Sequence, residues 1–161
     1  MESKIVLKSI GKVQSDFGED DIIRHPTRRV SMVSGLVIID HRFNATLNRI
    51  ESYSHLIIIY HMHKVTGVKE LKVHPRVRKE IAKVGGFATR SPNRPNPIGV
   101  TVVKLLGRRG NIVKVEGLDS VNGTPILDIK PYTYADRKAK IHVSEWTRSL
   151  LKNSRTVANS A

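Results

Sequence analysis

The chain has 161 residues, enough for about one domain with a real core. It contains no cysteine, which excludes disulfides, thiol catalysis and cysteine-based zinc or iron–sulfur sites, and no run of about 18 apolar residues, which excludes a predicted transmembrane helix. Its 28 Lys and Arg against 14 Asp and Glu leave a net charge of +14, which favours a polyanionic partner such as RNA or DNA. The segment from Met1 to Leu7 has no long apolar stretch and no small-residue cleavage site, so no signal peptide is expected. A cysteine-free basic chain fits a cytoplasmic protein. Aromatics make up only 5%, too few for a broad base-stacking platform. The basic residues cluster at Arg24–Arg29, Lys72–Lys83, Arg108-Arg109 and Arg137–Lys140, which suits a folded basic face better than a disordered tail.

Alternation of Ile5 and Leu7, then Ile10 and Val13, predicts a strand over Lys4–Val13. Val33–Asp40 is a second short strand. Leu47 and Ile50 stand at helical spacing in Asn44–Glu51, one helical turn or two. Ser54–His63 is the most hydrophobic stretch, and its continuous apolar run implies a strand buried on both faces. Glu70–Val73 and Phe87–Thr89 are short strand candidates. Gly99–Leu106 is strongly β-prone, Gly107-Arg108-Arg109-Gly110 reads as a hairpin turn, and Asn111–Glu116 alternates. Asn122-Gly123 supplies a turn before a strand at Pro125–Ile129. Many short strands with frequent turns predict a mainly β chain, a small closed or nearly closed β-barrel. Ser144–Lys152 reads as a helix capped by Ser144, with Trp146, Leu150 and Leu151 on one face, and the polar tail beyond it is expected to fray. Residues 1–133 thus form the barrel domain and 134–161 a basic helical appendage and tail.

Three constellations could carry chemistry. Gly85–Gly99 holds three of the seven prolines, each fixing its own φ and pushing its predecessor out of the α region. The result is a stiff extended loop that presents Arg90 and Arg94, whose forks suit carboxylate, phosphate or base edges. Around the Asn122-Gly123 turn, Asp119 and Asp128 are candidate proton acceptors; equally, Asp119 could cap the turn and Asp128 pair with Lys130. His61 and His63 share one strand face, but no acidic residue lies nearby in sequence to complete a metal set, and His63 with Lys64 stands at a strand end where ligand contacts are common. No metal is expected.

The run Phe87-Ala88-Thr89-Arg90-Ser91-Pro92-Asn93-Arg94-Pro95-Asn96-Pro97-Ile98-Gly99, followed by Gly123-Thr124-Pro125 and Asp128-Ile129-Lys130-Pro131-Tyr132, resembles the TsaA-like, or TrmO-type, tRNA methyltransferase family. Ile10-Gly11 and Ser54-His55-Leu56 fit the same pattern, and the likeness covers roughly residues 4–133. It implies a dimeric β-barrel that binds S-adenosylmethionine and N-methylates threonylcarbamoyladenosine beside the tRNA anticodon. No Gly-x-Gly-x-x-Gly follows a strand, as expected of a class distinct from Rossmann-type methyltransferases. Carried over by residue, the likeness implies a cofactor site of His63, Lys64, Arg90, Val100, Leu118, Asp119, Gly123 and Thr124, with Arg24, His25 and Pro26 matching an N-terminal cofactor segment loosely. Thr89, Arg94 and Asn96 would shape the pocket. Asp119 and Asp128 are the candidate catalytic acceptors, and Arg28, Arg29, Lys79, Lys83, Arg94 and Lys130 the candidate RNA contacts. Two departures stand out: Asn122 replaces the family's usual Asp before Gly-Thr-Pro, and a short Trp146 helix stands where longer bacterial members carry a further domain. Two other classes remain open on the residues, a non-catalytic RNA-binding barrel that retains the cofactor pocket and a metal-dependent hydrolase using His61 and His63.

Overall fold

The computed structural model describes residues 4–16, 34–65, 68, 70–75 and 79–149. Eight strands follow in chain order: β1 (Gly11–Gln14), β2 (Ser34–Ile39), β3 (His55–His61), β4 (Lys72–Val73), β5 (Val84–Gly85), β6 (Ile98–Arg109), β7 (Ile112–Glu116) and β8 (Pro125–Pro131). Six of them close into an antiparallel barrel in the order β1-β2-β7-β6-β3-β8, and β4 with β5 form a separate ribbon. Period-2 side-chain alternation makes the closure worthwhile. Leu56 and Ile58 of β3, Val103 of β6, Val113 and Val115 of β7, Val37 and Ile39 of β2 and Ile126 of β8 all point inward and are at most 1% exposed. Burying each such side chain is worth about 1.5–3 kcal/mol. β1 bridges the seam, with Gly11 opposite Ile39 on one side and Ile126 on the other. A Cβ at Gly11 would overlap the Ile38 carbonyl oxygen, so only glycine lets β1 sit this close.

The registers define two ends. β3 finishes where β8 begins, with Tyr60 opposite Ile126 and Gly99, and the ends of β1 and β7 and the start of β2 lie there too. At the other end β3 begins opposite the finish of β8, with Leu56 facing Pro131. Two 3-10 segments, His41–Leu47 and Ile50–Ser52, cover this second end.

Several elements differ from the sequence reading. Residues 4–10 precede the first strand and the side chains of Ile5, Val6 and Leu7 are exposed, because backbone bonding to the neighbouring strands takes hold only near Ile10, whose N–H donates to the Ile126 carbonyl. The helical turns expected over Asn44–Glu51 are two 3-10 segments broken at Asn48-Arg49, with Asp40 accepting from the Arg42 N–H to start the first. β3 alternates instead of being buried on both faces, because a barrel has one interior and Ile57 and Ile59 turn outward. Phe87 lies in a 3-10 turn (Gly86–Ala88), and the strand of that region is Val84–Gly85. The β6–β7 turn is tighter than Gly107–Gly110: β6 continues to Arg109, with a bulge between Leu105 and Gly107. At the C-terminus residues 145–149 are helical, and Ser144 Oγ accepts from the Thr147 N–H at 3.4 Å. Leu150 onward lies outside the described residues.

A Cβ at Gly99 would collide with the ring of Tyr60 directly opposite. Gly99→Ala is therefore expected to destabilise the fold by about 1–3 kcal/mol, the usual cost of overpacking. A lowered urea midpoint with an unchanged slope is the expected readout.

Candidate functional site

β6 has two halves. From Lys104 to Arg109 it pairs with both β3 and β7 or with β7 alone, but from Ile98 to Val103 its only strand partner is β3. The Leu105 N–H donates to the Ser54 carbonyl and the Met62 N–H to the Pro97 carbonyl, so these two pairs are hydrogen-bonded. Antiparallel pairs alternate, which makes Thr101 with Ile58 and Gly99 with Tyr60 bonded pairs as well. Ile98, Val100 and Val102 therefore turn their backbone N–H and C=O away from β3, toward the side where β7 has departed.

Arg90 occupies that edge. Its Nη2 donates to the Val100 carbonyl at 2.7 Å, taking an acceptor that a paired strand would otherwise satisfy. The loop that carries Arg90 is tied internally. Thr89 Oγ1 donates to the Gly86 carbonyl at 2.9 Å and accepts from the Ser91 N–H at 3.2 Å. Arg94 Nη1 donates to the Thr89 carbonyl at 2.9 Å and reaches those of Gly86 and Ser91 at 3.4 Å, while its guanidinium lies 5.6 Å from the Phe87 ring centre. Arg94 thus organises the loop, and Arg90 is what the loop presents.

After Glu116 the chain crosses the same end as Gly117–Ser120, turning through Gly117 at φ +91 and burying Leu118. Tyr60, buried at the end of β3, donates through its hydroxyl to Asp119 Oδ1 at 3.1 Å and contacts the Asp119 carbonyl at 3.4 Å. Burial, with the Asp119 charge and hydrogen bond added, pushes the Tyr60 phenol above its ordinary range, and the nearby Arg90 charge partly offsets this. Asp119 is thereby held by the same phenol that feels the Arg90 charge. Next to it Gly123, at φ +79, turns the chain, its N–H donating to the Val13 carbonyl at 2.9 Å. Asn122 Oδ1 accepts from the Ser15 N–H at 3.3 Å, an acceptor that asparagine and aspartate both supply. His63 and Lys64 follow β3 in a turn closed by the Val65 N–H on the Met62 carbonyl at 3.0 Å.

The structure therefore brings His63, Lys64, Arg90, Val100, Leu118, Asp119, Gly123 and Thr124 to one end of the barrel. Asp128 does not join them. The β3–β8 register shifts between Ile59 and Tyr60, so Tyr60 faces Ile126 while Ile59 faces Asp128. The bulge turns Asp128 outward, where Oδ1 accepts from the Ile129 N–H at 2.8 Å and Oδ2 pairs with Lys130 Nζ at 2.6 Å. Lys83 is paired with Glu70 at 2.6 Å on the β4–β5 ribbon, which also carries the exposed Lys79. Arg24, His25, Pro26, Arg28 and Arg29 lie outside the described residues. Tyr60 is a site residue that the sequence does not single out: alternation along β3 places it inward, but its partner is 59 residues away. Among the described residues no three His, Asp or Glu converge as metal ligands.

Removing the phenol tests this arrangement. Tyr60→Phe is expected to cost about 1 kcal/mol of stability, the net worth of one buried hydrogen bond. The raised phenol pKa means that the neutral, donating form stabilises the fold below pH of about 10, and that this contribution is lost as pH rises through the folded value. Unfolding measured at pH about 8 and about 11 should show an alkaline loss in the parent chain and a smaller one in the variant.

Comparison with known proteins identifies the family and the fold. Residues 12–137 match the family described as the tRNA-methyltransferase O N-terminal domain. A probable S-adenosyl-L-methionine-binding protein of Pyrococcus abyssi is 42% identical over 128 residues, 80% of this chain and 68% of that protein. An S-adenosyl-L-methionine-binding protein of Archaeoglobus fulgidus is 39% identical over 129 residues, 80% of this chain and 90% of that protein. The human tRNA (adenine(37)-N6)-methyltransferase is 44% identical over 88 residues, 54% of this chain but 20% of that protein. The crystal structure of TrmO from Pseudomonas aeruginosa superposes with a TM-score of 0.71 at 29% identity, covering 89% of this chain and 63% of that one. This chain thus spans less than two thirds of the solved TrmO chain.

Proposed function

Because the chain belongs to the tRNA-methyltransferase O family, we propose that it is an S-adenosylmethionine-dependent tRNA methyltransferase and that it N-methylates threonylcarbamoyladenosine beside the anticodon. The observation that carries the reading is that one end of the barrel holds both Arg90, bonded to the Val100 carbonyl on an open strand edge, and Asp119, held by Tyr60. The donor set fits the cofactor. One Arg90 donor is committed to Val100, leaving most of an exposed guanidinium fork for a carboxylate. The outward N–H of Val100 and the outward N–H and C=O of Val102 suit a heterocycle edge, and Leu118 supplies an apolar wall. When bound, S-adenosylmethionine supplies an electrophilic methyl group.

The carbamoyl nitrogen is a poor nucleophile, so the protein's work is to position it and to accept its proton. With Oδ1 engaged by Tyr60, Asp119 has Oδ2 for that proton. Asp128 is paired to Lys130 away from this cluster, so Asp119 is the acceptor we assign. The stiff Pro-rich loop keeps Arg90 in place before any ligand arrives, which lowers the entropy cost of binding.

We also infer a homodimer. The outer face of β6 carries Ile98, Val100, Val102 and Leu106, exposed by 37–47%, beside the outward Ile57 and Ile59 of β3. Lys104 interrupts this stripe before Leu106, and the apolar part from Ile98 to Val102 is what a partner subunit would cover. Light scattering at micromolar concentration is expected to give twice the chain mass, and Val102→Lys, which puts a charge on the stripe, to give a monomer.

For the cofactor, Arg90→Ala should weaken S-adenosylmethionine binding by about 1.5–3 kcal/mol, the worth of a hydrogen bond to a charged group. Arg90→Lys should not restore it, because an ammonium cannot reproduce the fork. Calorimetry measures both. A methyl-transfer assay on tRNA carrying threonylcarbamoyladenosine tests the reaction, and Asp119→Asn should bind cofactor yet lose most turnover. Cofactor binding without methyl transfer by the parent chain would favour a non-catalytic RNA-binding barrel.

A further inference from the structure

At the opposite end of the barrel a cavity of about 440 Å³ lies between the 3-10 segments and β8. Phe43, Tyr53, Ile129 and Pro131 give it apolar and aromatic walls, and Arg49 and Asp128 give it polar groups. It shares no residue with the Arg90–Tyr60–Asp119 cluster.

The wall is fixed in advance. Arg108, largely buried, donates from Nη1 to the Leu47 carbonyl and to Glu51 Oε1, each at 3.2 Å, and from Nη2 to Asn44 Oδ1 at 3.1 Å. Its Nε donates to the Gly110 carbonyl at 2.6 Å. Asp40 accepts from the Arg42 backbone at 2.9 Å and pairs with its guanidinium at 2.8 Å, which holds the carboxyl down to about 2 and keeps it charged. Within this braced wall Arg49 is, among the described residues, the one non-glycine with positive φ, at +63. Non-glycine residues in that region store strain and collect at functional sites.

We propose that this cavity receives one unpaired nucleotide of the RNA substrate. The proposal rests on the tRNA reading above and adds a second contact point to it. A nucleobase has a flat face for the half-exposed Tyr53 ring, an edge for the apolar wall that includes Phe43, and ring or exocyclic N–H groups for the Asp128 carboxylate. Its phosphate is complementary to Arg49, and to Lys130 beside Asp128. The chain's net charge of +14 favours a polyanionic partner. Holding one nucleotide here fixes which neighbour in the loop reaches Asp119, so the cavity sets register and takes no part in methyl transfer.

The test uses the full chain with unmodified tRNA and two variants. Tyr53→Ala removes the half-exposed stacking ring. Arg49→Gly removes the charge while keeping the left-handed backbone. Each is expected to raise the tRNA Kd roughly tenfold, the order of one lost base stack or charged contact, with S-adenosylmethionine affinity unchanged as the folding control. Arg49→Lys should recover part of the loss, and ultraviolet cross-linking should join a nucleotide to the 43–53 peptide. If the parent chain binds tRNA and both variants bind it equally well, with no cross-link in that peptide, the cavity proposal fails and the tRNA reading stands. If the parent chain does not bind tRNA, the reading itself fails and the proposal with it. A variant effect that also appears with a heparin competitor as the only polyanion would reduce the cavity to a nonspecific anion contact and overturn the nucleotide assignment.

Discussion

The separation of β6 from β7 beyond Lys104 is the constraint from which the candidate site follows. A barrel with every strand fully paired has no free edge and no backbone groups to offer. Here β7 leaves early, and half of β6 keeps only one neighbour. The Val100 carbonyl that this exposes is met by Arg90, and the Gly117–Ser120 crossing fills the barrel mouth with Leu118 and Asp119. Tyr60 can reach Asp119 only because residue 99 has no Cβ, so the ring lies over Gly99 and extends to the crossing segment. Edge, arginine, carboxylate and phenol are thus one arrangement: paired fully to β7, β6 would present no edge for Arg90 to cap.

Two arginines four residues apart in one motif do different work. Arg94 is turned into its own loop, where one nitrogen gathers three carbonyls and the guanidinium lies near Phe87. The prolines restrict the chain's conformations, and Arg94 selects among those that remain. Arg90 then inherits a fixed position. Among the other basic residues, Lys83 and Lys130 spend charge on Glu70 and Asp128. Exposed pairs of this kind are worth about 0–1 kcal/mol and open readily, so attraction for a polyanion resides in the summed field more than in any single lysine.

The sequence made the barrel legible because alternation and turn chemistry are local. Leu56, Ile58 and Val113 announce their inward faces, and Asn122-Gly123 announces its turn. The Pro-rich loop was equally plain, as was the cap at Ser144. What stayed hidden is either long-range or a matter of phase. The Tyr60–Asp119 bond joins residues 59 apart, and no local pattern encodes it. The 3-10 geometry of His41–Leu47 depends on Asp40 and on Arg108, which arrives from the far side of the sequence. Local propensity saw Leu47 and Ile50 at helical spacing and had no means of seeing that clamp.

The fate of the two aspartates is settled by phase. Counting by twos from the buried Ile126 would aim Asp128 into the barrel, where an unpaired carboxylate costs far more than a surface one. The shift between Ile59 and Tyr60 absorbs one residue, so Asp128 changes faces and meets the outward Ile59. That bulge keeps the core apolar and gives Lys130 a partner, and it moves a carboxylate from the barrel axis to the rim of the far cavity. Asp119, in the crossing before β8, is untouched by the shift and stays with Tyr60 and Arg90. Two acidic groups nine positions apart thereby keep different company, Asp119 with Tyr60 and Asp128 with Lys130, and a single extra residue in one strand divides them.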